Sequence, residues 1–325
     1  MLQLYLKKRL LDNDDTHGQQ GGGDQQSSPV TLLDQNALLN CLAHCSLSDF
    51  KSIASTSKTF RSLIKDSELY RLRRAKGIVE HWIYFSCRLL EWEAYDPNGD
   101  RWLRVPKMTF NECFILGEVA VIAGGCDPSG RILSSAEVYN SETGEWTVIP
   151  SMNKARKMCS SVFMDGNYYV IGGIGEGNSE MLMCGEVYDL KKMTWSLIPN
   201  MLPERSNGGG GAMAASAAPP LVAVVKDELY AASYEQQEVR RYDKGCNVWN
   251  KVGNLPERAS SMNGWGMAFR ACGDKLVVVG GPRTLGGGFV EINACVPRDG
   301  ESLYWRVLAS KPSGSFVYNC AVMGC

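Results

Sequence analysis

The chain has few of the residues that metal chemistry or membrane insertion would need. Only three histidines occur among its 325 residues, and all of them (His17, His44 and His81) lie before Trp82, where the repeated strand-like units begin. No apolar run approaches the ~20 residues that a membrane-spanning helix requires. The formal net charge is −1, and this balance disfavours a general nucleic-acid binder. We therefore expect no cofactor, no metal, no membrane partner and no nucleic-acid partner.

The twelve cysteines also lack an informative pattern, since none belongs to a CxxC pair and several lie in apolar, strand-like runs. Cys41, His44 and Cys45 share a helix face and could hold zinc, but no second ligand pair accompanies them, so a packed face is favoured. Residues 1–11 are partly apolar, yet three consecutive basic residues interrupt them and no cleavage pattern follows. We expect reduced thiols and a nuclear or cytoplasmic protein.

Repeated strand-like units occupy most of the chain. In residues 164–205, one apolar run ends at Gly172 and Gly173, a second ends at Asp189, and Trp195 follows. The same marks recur at a spacing of roughly 45–55 residues, which is the period of kelch propeller blades. The other marks include the glycine pairs Gly124 with Gly125 and Gly280 with Gly281, and the tryptophans Trp102, Trp146, Trp249 and Trp305.

The ends of this β-rich part complement each other. The first unit, which starts at Trp82, looks like a blade without its first strand, whereas residues 316–323 look like a first strand without a blade. Closure of a propeller removes free strand edges. We therefore predict that the terminal strand 316–323 completes the first blade and closes a propeller that spans residues 79–325.

Before the propeller, residues 1–30 are predicted to be disordered, because residues 12–30 are polar and rich in Gly, Gln and Ser. Residues 31–78 form a predicted all-helical module, since their apolar residues recur at spacings of three and four. This helical module is either a cap that packs on the propeller or a docking surface for a partner's helices. A basic run at its end (Arg71, Arg73, Arg74 and Lys76) is interpreted as a solvated helix face, with nuclear localisation or nucleic-acid binding as the alternative.

Helices followed by kelch units resemble the plant F-box/kelch-repeat family over residues 31–325. The resemblance rests on the helical segment, on the joint EHWIYFSCRLLEWEAYDP, on the blades and on the ending FVYNCAVMGC. It implies a non-catalytic subunit of an SCF (Skp–cullin–F-box) ubiquitin ligase. The F-box would bind a Skp-type adaptor, and through it cullin, while the propeller would select an unknown protein substrate.

Two departures from the family pattern matter. F-boxes usually open with a Leu-Pro pair, whereas this one opens with Leu32 and Leu33. The alternative is therefore a kelch scaffold that is not coupled to ubiquitination. The propeller also lacks a unit between Trp102 and Gly124, as a splice form or an altered gene model would produce. We predict a mainly β fold with a kelch-type propeller of about five blades, where the family pattern suggests six, preceded by a small all-α module.

Candidate binding residues follow from the resemblance and the repeats. Arg156, Arg205 and Arg258 occupy the same place in three units, near one mouth of the central channel, where guanidinium groups would suit an acidic substrate segment. The alternative is that each one fixes a neighbouring blade through backbone carbonyls or through Glu204 and Glu257. No nucleophile, base and acid combine into a catalytic set. The candidate adaptor contacts are Leu38, Leu39, Leu42, Phe50, Ile53, Phe60 and Leu63, some of which must form the core of the helical module instead.

Overall fold

The computed structural model describes most of the chain after residue 34. The described residues are 35–88, 91–104, 119–140, 145–176, 181–203, 218–257, 264–280, 288–317 and 319–324. Within these ranges the fold is mainly β, with five antiparallel sheets that follow a short helical region. The predicted fold class is therefore confirmed. The predicted disorder of residues 1–30 falls outside the described residues, as do Arg205 and Arg258.

Short helices with side-chain caps build the helical module. They are α1 (Gln35–Ala43), a 3-10 helix (Leu47–Asp49), α2 (Phe50–Thr56), α3 (Lys58–Lys65) and α4 (Ser67–Ala75). Ser57 accepts a hydrogen bond from the Thr59 amide, and Asp66 accepts one from the Glu68 amide. Such bonds satisfy amide groups that have no partner inside the helix, so they fix where α3 and α4 begin. Among the described residues, no helix is long and apolar enough to span a membrane.

The five sheets are the blades, which we name A to E. Blade A contains β19 (Asn319–Gly324), β1 (His81–Arg88), β2 (Glu91–Asp96) and β3 (Arg101–Arg104), in that order. Blade B contains β4 (Val119–Ala123), β5 (Ala136–Asn140) and β6 (Glu145–Ile149). Blade C contains β7 (Ser160–Met164), β8 (Asn167–Ile171), β9 (Gly185–Asp189) and β10 (Thr194–Ile198).

The two remaining blades each contain four consecutive strands. Blade D contains β11 (Val222–Val225), β12 (Glu228–Ser233), β13 (Glu238–Asp243) and β14 (Val248–Asn254). Blade E contains β15 (Met267–Cys272), β16 (Lys275–Gly280), β17 (Phe289–Cys295) and β18 (Arg306–Pro312). The first strands β7, β11 and β15 contact one another in succession, and β19 contacts β15. The last strand of the chain therefore holds the first-strand position in blade A.

The pairing of β19 with β1 is antiparallel and runs from His81 opposite Gly324 to Ser86 opposite Asn319. The strand starts at Asn319, three residues after the predicted start of the terminal strand. Just before it, Val317 forms an isolated bridge with Gly266. The chain thus joins its first and last blade strands within one sheet, which is the arrangement that the two incomplete ends of the repeat pattern predict.

In blades C and E, alternate residues of the second strand pack against the two neighbouring blades. In blade E, Val278 packs towards blade D and Val277 packs towards blade A. In blade C, Ile171 packs towards blade D and Val170 packs towards blade B. Burial on both faces explains why these strands appear in the sequence as continuous apolar runs instead of alternating ones.

Among the described residues, blades A and B do not pack on each other as the other neighbouring blades do. The face of blade A opposite blade E does not pack on a blade, because its residues Trp82, Tyr84, Trp92 and Ala94 share one core with the helical module. The face of blade B opposite blade C is solvent-exposed at Ile122. Among the described residues, no strand pairing or apolar cluster joins the two blades. This break in packing among the described residues coincides with the place where the repeat pattern lacks a unit.

Candidate functional site

The helical module uses most of its apolar residues to form its own core. Five of the candidate adaptor contacts are buried, namely Leu38, Leu39, Leu42, Phe50 and Leu63. This placement leaves little of these five side chains accessible to a partner, and their role as adaptor contacts stays a prediction. Periodicity shows which face of a helix is apolar but not which surface covers that face. Here the cover is the other helices and blade A.

Ile53 and Phe60 differ from the other five candidates. Both are half-buried and pack against the edge of the core that the module shares with blade A. They lie on α2 and α3, beside the exposed residues Ser55 and Thr59. Of the seven candidates, these two retain apolar surface that a partner could contact.

A buried arginine fastens the helices to the start of the propeller. The Nη1 atom of Arg73 donates to the carbonyl oxygens of Ala43 and Cys45, at 2.8 and 2.6 Å. Its Nη2 atom donates to Oε1 of Glu80 at 2.7 Å. The Glu80 carboxylate in turn accepts a hydrogen bond from the Leu47 amide at 3.1 Å. The residue just before β1 is thus tied to both α4 and the 3-10 helix.

This role of Arg73 differs from the expected solvated face. Arg71, Arg74 and Lys76 are exposed as expected, whereas Arg73 is buried and its guanidinium lies 5.7 Å from the centre of the Phe50 ring. Leu69 is also buried, one helical turn earlier on the same face. That spacing of four residues is the sequence signal that could have placed Arg73 inside. A further link joins Arg101 of β3 to Asp49 at 3.1 Å.

Arg156, a candidate substrate contact, lies inside the molecule. Its Nη1 atom donates to the carbonyl oxygens of Gly172 and Cys184, at 2.9 and 3.3 Å. Its Nη2 atom donates to Oε1 of Glu186 at 2.7 Å, and both side chains of this ion pair are fully buried. Arg156 therefore joins the segment that follows blade B to β8 and β9 of blade C. These bonds agree with the alternative that it fixes a neighbouring blade, and a role in substrate binding stays a prediction.

The carboxylate of Glu186 is satisfied from a second side. It accepts hydrogen bonds from the amide and the side-chain nitrogen of Asn153, at 2.6 and 2.8 Å, and from the Lys154 amide at 3.0 Å. Hydrogen bonds to the remaining lone pairs of the carboxylate offset part of the cost of burying its charge. The acid partner of Arg156 is thus Glu186 of the next blade. The alternative considers acids next to the arginine in the sequence, such as Glu204 beside Arg205 and Glu257 beside Arg258.

Tryptophans make a second recurring link between blades. The indole Nε1 of Trp195 donates to the Pro150 carbonyl at 2.6 Å, and that of Trp305 donates to the Asn254 carbonyl at 2.8 Å. In each case the acceptor belongs to the end of the preceding blade. Trp249 makes the same bond to Asn200 at 3.3 Å. The repeated tryptophan of the sequence therefore marks a contact with the preceding blade.

Two buried cysteines of the propeller are poor nucleophiles. Burial raises the pKa of Cys320 to about 12 and that of Cys272 to about 11. Both thiols therefore stay protonated at neutral pH, and a protonated thiol is a poor nucleophile. In the part of the chain that the structure describes, no group of three His, Cys, Asp or Glu side chains is placed to hold a metal ion.

Family models match both parts of the chain. The F-box domain model matches residues 31–72, and the Kelch motif model matches residues 113–153 and 155–202. The first match covers the helical module. The second covers the described parts of blade B and blade C together with the segment that carries Arg156.

Three curated relatives from Arabidopsis thaliana are similar over most of the chain. F-box/kelch-repeat protein At1g74510 is 67% identical, and the match covers 100% of this chain and 94% of the relative. F-box/kelch-repeat protein At1g26930 is 48% identical over 99% of this chain and 90% of the relative. F-box/kelch-repeat protein SKIP11 is 46% identical over 94% of this chain and 77% of the relative.

The lengths of these alignments bear on the number of blades. The alignment with At1g74510 has 422 positions, whereas the whole of this chain has 325 residues, so at least 97 positions have no counterpart here. The alignment with At1g26930 has 379 positions, which leaves at least 54. One kelch unit is about 50 residues long, so both relatives carry enough additional sequence for a further blade. With its F-box, its kelch blades and these similarities, the chain belongs to the F-box/kelch-repeat family.

Proposed function

We infer that this chain is the substrate-recognition subunit of an SCF-type ubiquitin ligase. In this role the F-box binds a Skp-type adaptor, and through it cullin, and the kelch propeller binds a target protein. The observation that carries the proposal is the joint between the two parts. The helices and blade A share one apolar core, and Arg73 and Glu80 fasten them together. A receptor that holds its target at a set distance from the ligase needs such a stiff connection.

The chain contributes binding and leaves the ubiquitin chemistry to other subunits. Receptors of this family are typically non-catalytic, and the buried, protonated thiols of Cys272 and Cys320 fit that role. Reduced cysteines also fit a protein of the nucleus or the cytoplasm, where thiols are kept reduced. We propose that location for the chain.

A kelch scaffold without a ligase is the second candidate. It is favoured by the burial of five candidate adaptor contacts, which leaves less apolar surface on the helices for an adaptor. It is also favoured by the opening with Leu32 and Leu33 in place of a Leu-Pro pair. The two candidates differ in one property, which is binding of the adaptor.

The test is capture of the purified full-length chain by a Skp-type adaptor. Leu39→Asp and Leu42→Asp are poor probes, because both residues are buried and their loss would unfold the module. The half-buried pair is better, so the probe is the double variant Ile53→Glu with Phe60→Glu. Its control is Ser55→Glu with Thr59→Glu, which adds the same charges at exposed positions of the same helices.

Capture of the wild type and of the control, with loss in the probe variant, supports the ligase receptor. Circular dichroism of each variant must show an unchanged fold for the comparison to hold. Failure of a folded wild type to bind the adaptor would overturn the proposal and favour the scaffold.

A further inference from the structure

The open face of blade B is an unusual surface in this molecule. Strand pairing places Ile122 opposite Glu137 and Glu137 opposite Val148, so these three side chains form one row across the blade. Ile122 is 53% exposed and Val148 is 76% exposed, and Glu137 is exposed between them. In the next row of the same face, the exposed Trp146 packs against the buried Tyr139 with 5.1 Å between their ring centres. We call these five residues the open face.

The corresponding face of blade C shows which groups pack on such a surface. Val170 and Glu186 of blade C pair with each other as Ile122 and Glu137 do, and each valine or isoleucine lies two residues before a glycine pair. Val170 is only 1% exposed, and Glu186 is buried against the guanidinium of Arg156. By this internal comparison, the open face fits a segment that carries both apolar side chains and a cationic group.

We propose that residues 1–11 of this chain, in place of the disorder predicted for them from the sequence, pack on the open face of blade B. This segment supplies the apolar residues Leu2, Leu4 and Leu6, followed by the consecutive cations Lys7, Lys8 and Arg9. The leucines cover Ile122 and Val148, and one of the cations pairs with Glu137 as Arg156 pairs with Glu186. The proposal does not depend on the ligase role.

Charge separates this occupant from a second copy of the chain. A two-fold symmetric contact between two copies of the open face would bring Glu137 close to Glu137 of the other copy, and the two carboxylates repel each other. The N-terminal segment instead brings positive charge to the carboxylate. It is also tethered, because residues 12–34 provide 23 residues of connection, which span up to about 75 Å when extended. A tether raises the effective concentration of the segment at the face.

Hydrogen–deuterium exchange of the full-length chain tests the proposal. The amide groups of β4, β5 and β6 are compared in the wild type, in Glu137→Lys, and in the triple variant Leu2→Gln, Leu4→Gln and Leu6→Gln. We expect about tenfold faster exchange in both variants, since loss of a charge-assisted bond or of apolar contacts weakens docking by about that factor. Reversal of all three cations to Glu in the Glu137→Lys chain should restore slow exchange.

The control is Glu145→Lys, which changes a carboxylate on β6 that points to the other side of blade B. It should leave exchange unchanged. Equal exchange in the wild type and in both variants would overturn the proposal. So would protection of blade B that depends on protein concentration, together with a dimer in sedimentation, since these results identify a second copy as the occupant.

Discussion

The guanidinium of Arg156 and the carboxylate of Glu186 meet at 2.7 Å inside the protein, and neither side chain reaches solvent. Arg156 follows blade B in the sequence and Glu186 belongs to blade C. The pair therefore connects consecutive repeats through charge as well as through apolar contact.

Removal of one partner should be costly. Arg156→Met leaves the Glu186 carboxylate buried without its cation, and we expect the free energy of unfolding to fall by about 3–5 kcal/mol. Urea unfolding measures the loss. The control is Arg131→Met, because Arg131 forms a surface ion pair with Asp127 and its loss should change stability by about 0.5 kcal/mol or less. A similar small loss for Arg156→Met would contradict the structural role assigned here.

The indole links predict a difference among tryptophans. Trp195→Phe and Trp305→Phe remove the hydrogen bonds to the Pro150 and Asn254 carbonyls, and each should cost about 1 kcal/mol. Trp146 faces the open side of blade B, and no described residue accepts a hydrogen bond from its indole. Trp146→Phe should therefore cost less than either of the other two substitutions. Thermal unfolding of the three variants gives the comparison, and equal losses would contradict it.

The terminal strand should be essential for stability. Removal of residues 316–325 exposes the edge of β1 that pairs with β19, and unpaired edges promote aggregation. We expect a large drop in Tm or loss of soluble protein. A chain that ends at Gly324 keeps the whole strand and is the control. An unchanged Tm after the longer truncation would show that β19 does not hold blade A together.

His81 should make stability depend on pH. Burial lowers the pKa of this imidazole below its usual 6.5, so the unfolded state binds the proton more readily. The His81 contribution to stability is therefore fully present above about pH 6.5 and is lost as the pH falls from there towards the folded pKa. His81→Gln should show a smaller fall in Tm between about pH 7 and pH 5 than the wild type. His44→Gln, which changes an exposed histidine, is the control variant.

The recurring tryptophans and glycine pairs predicted the fold because each of them is required at a fixed place within a blade. A tryptophan at the end of a unit and a glycine pair after a strand recur wherever a blade must meet its neighbour, so Trp195 and Gly172 could be assigned from spacing alone. Leu39 and Arg156 could not be assigned in this way. Their neighbours come from distant parts of the chain, and a helical period or a repeated arginine shows only that a residue is placed regularly. Whether it meets solvent, a partner or the protein itself depends on tertiary packing.

The pairing of β19 with β1 has a consequence for synthesis of the protein. Ser86 is opposite Asn319, and about 230 residues lie between them. At roughly 5–20 residues per second on the ribosome, their synthesis takes on the order of tens of seconds. The first strands of blade A are thus made early and its last strand late. Strand β1 lacks its partner β19 while the residues between them are synthesised. For that time the edge of β1 that pairs with β19 is unpaired, and an unpaired strand edge promotes aggregation.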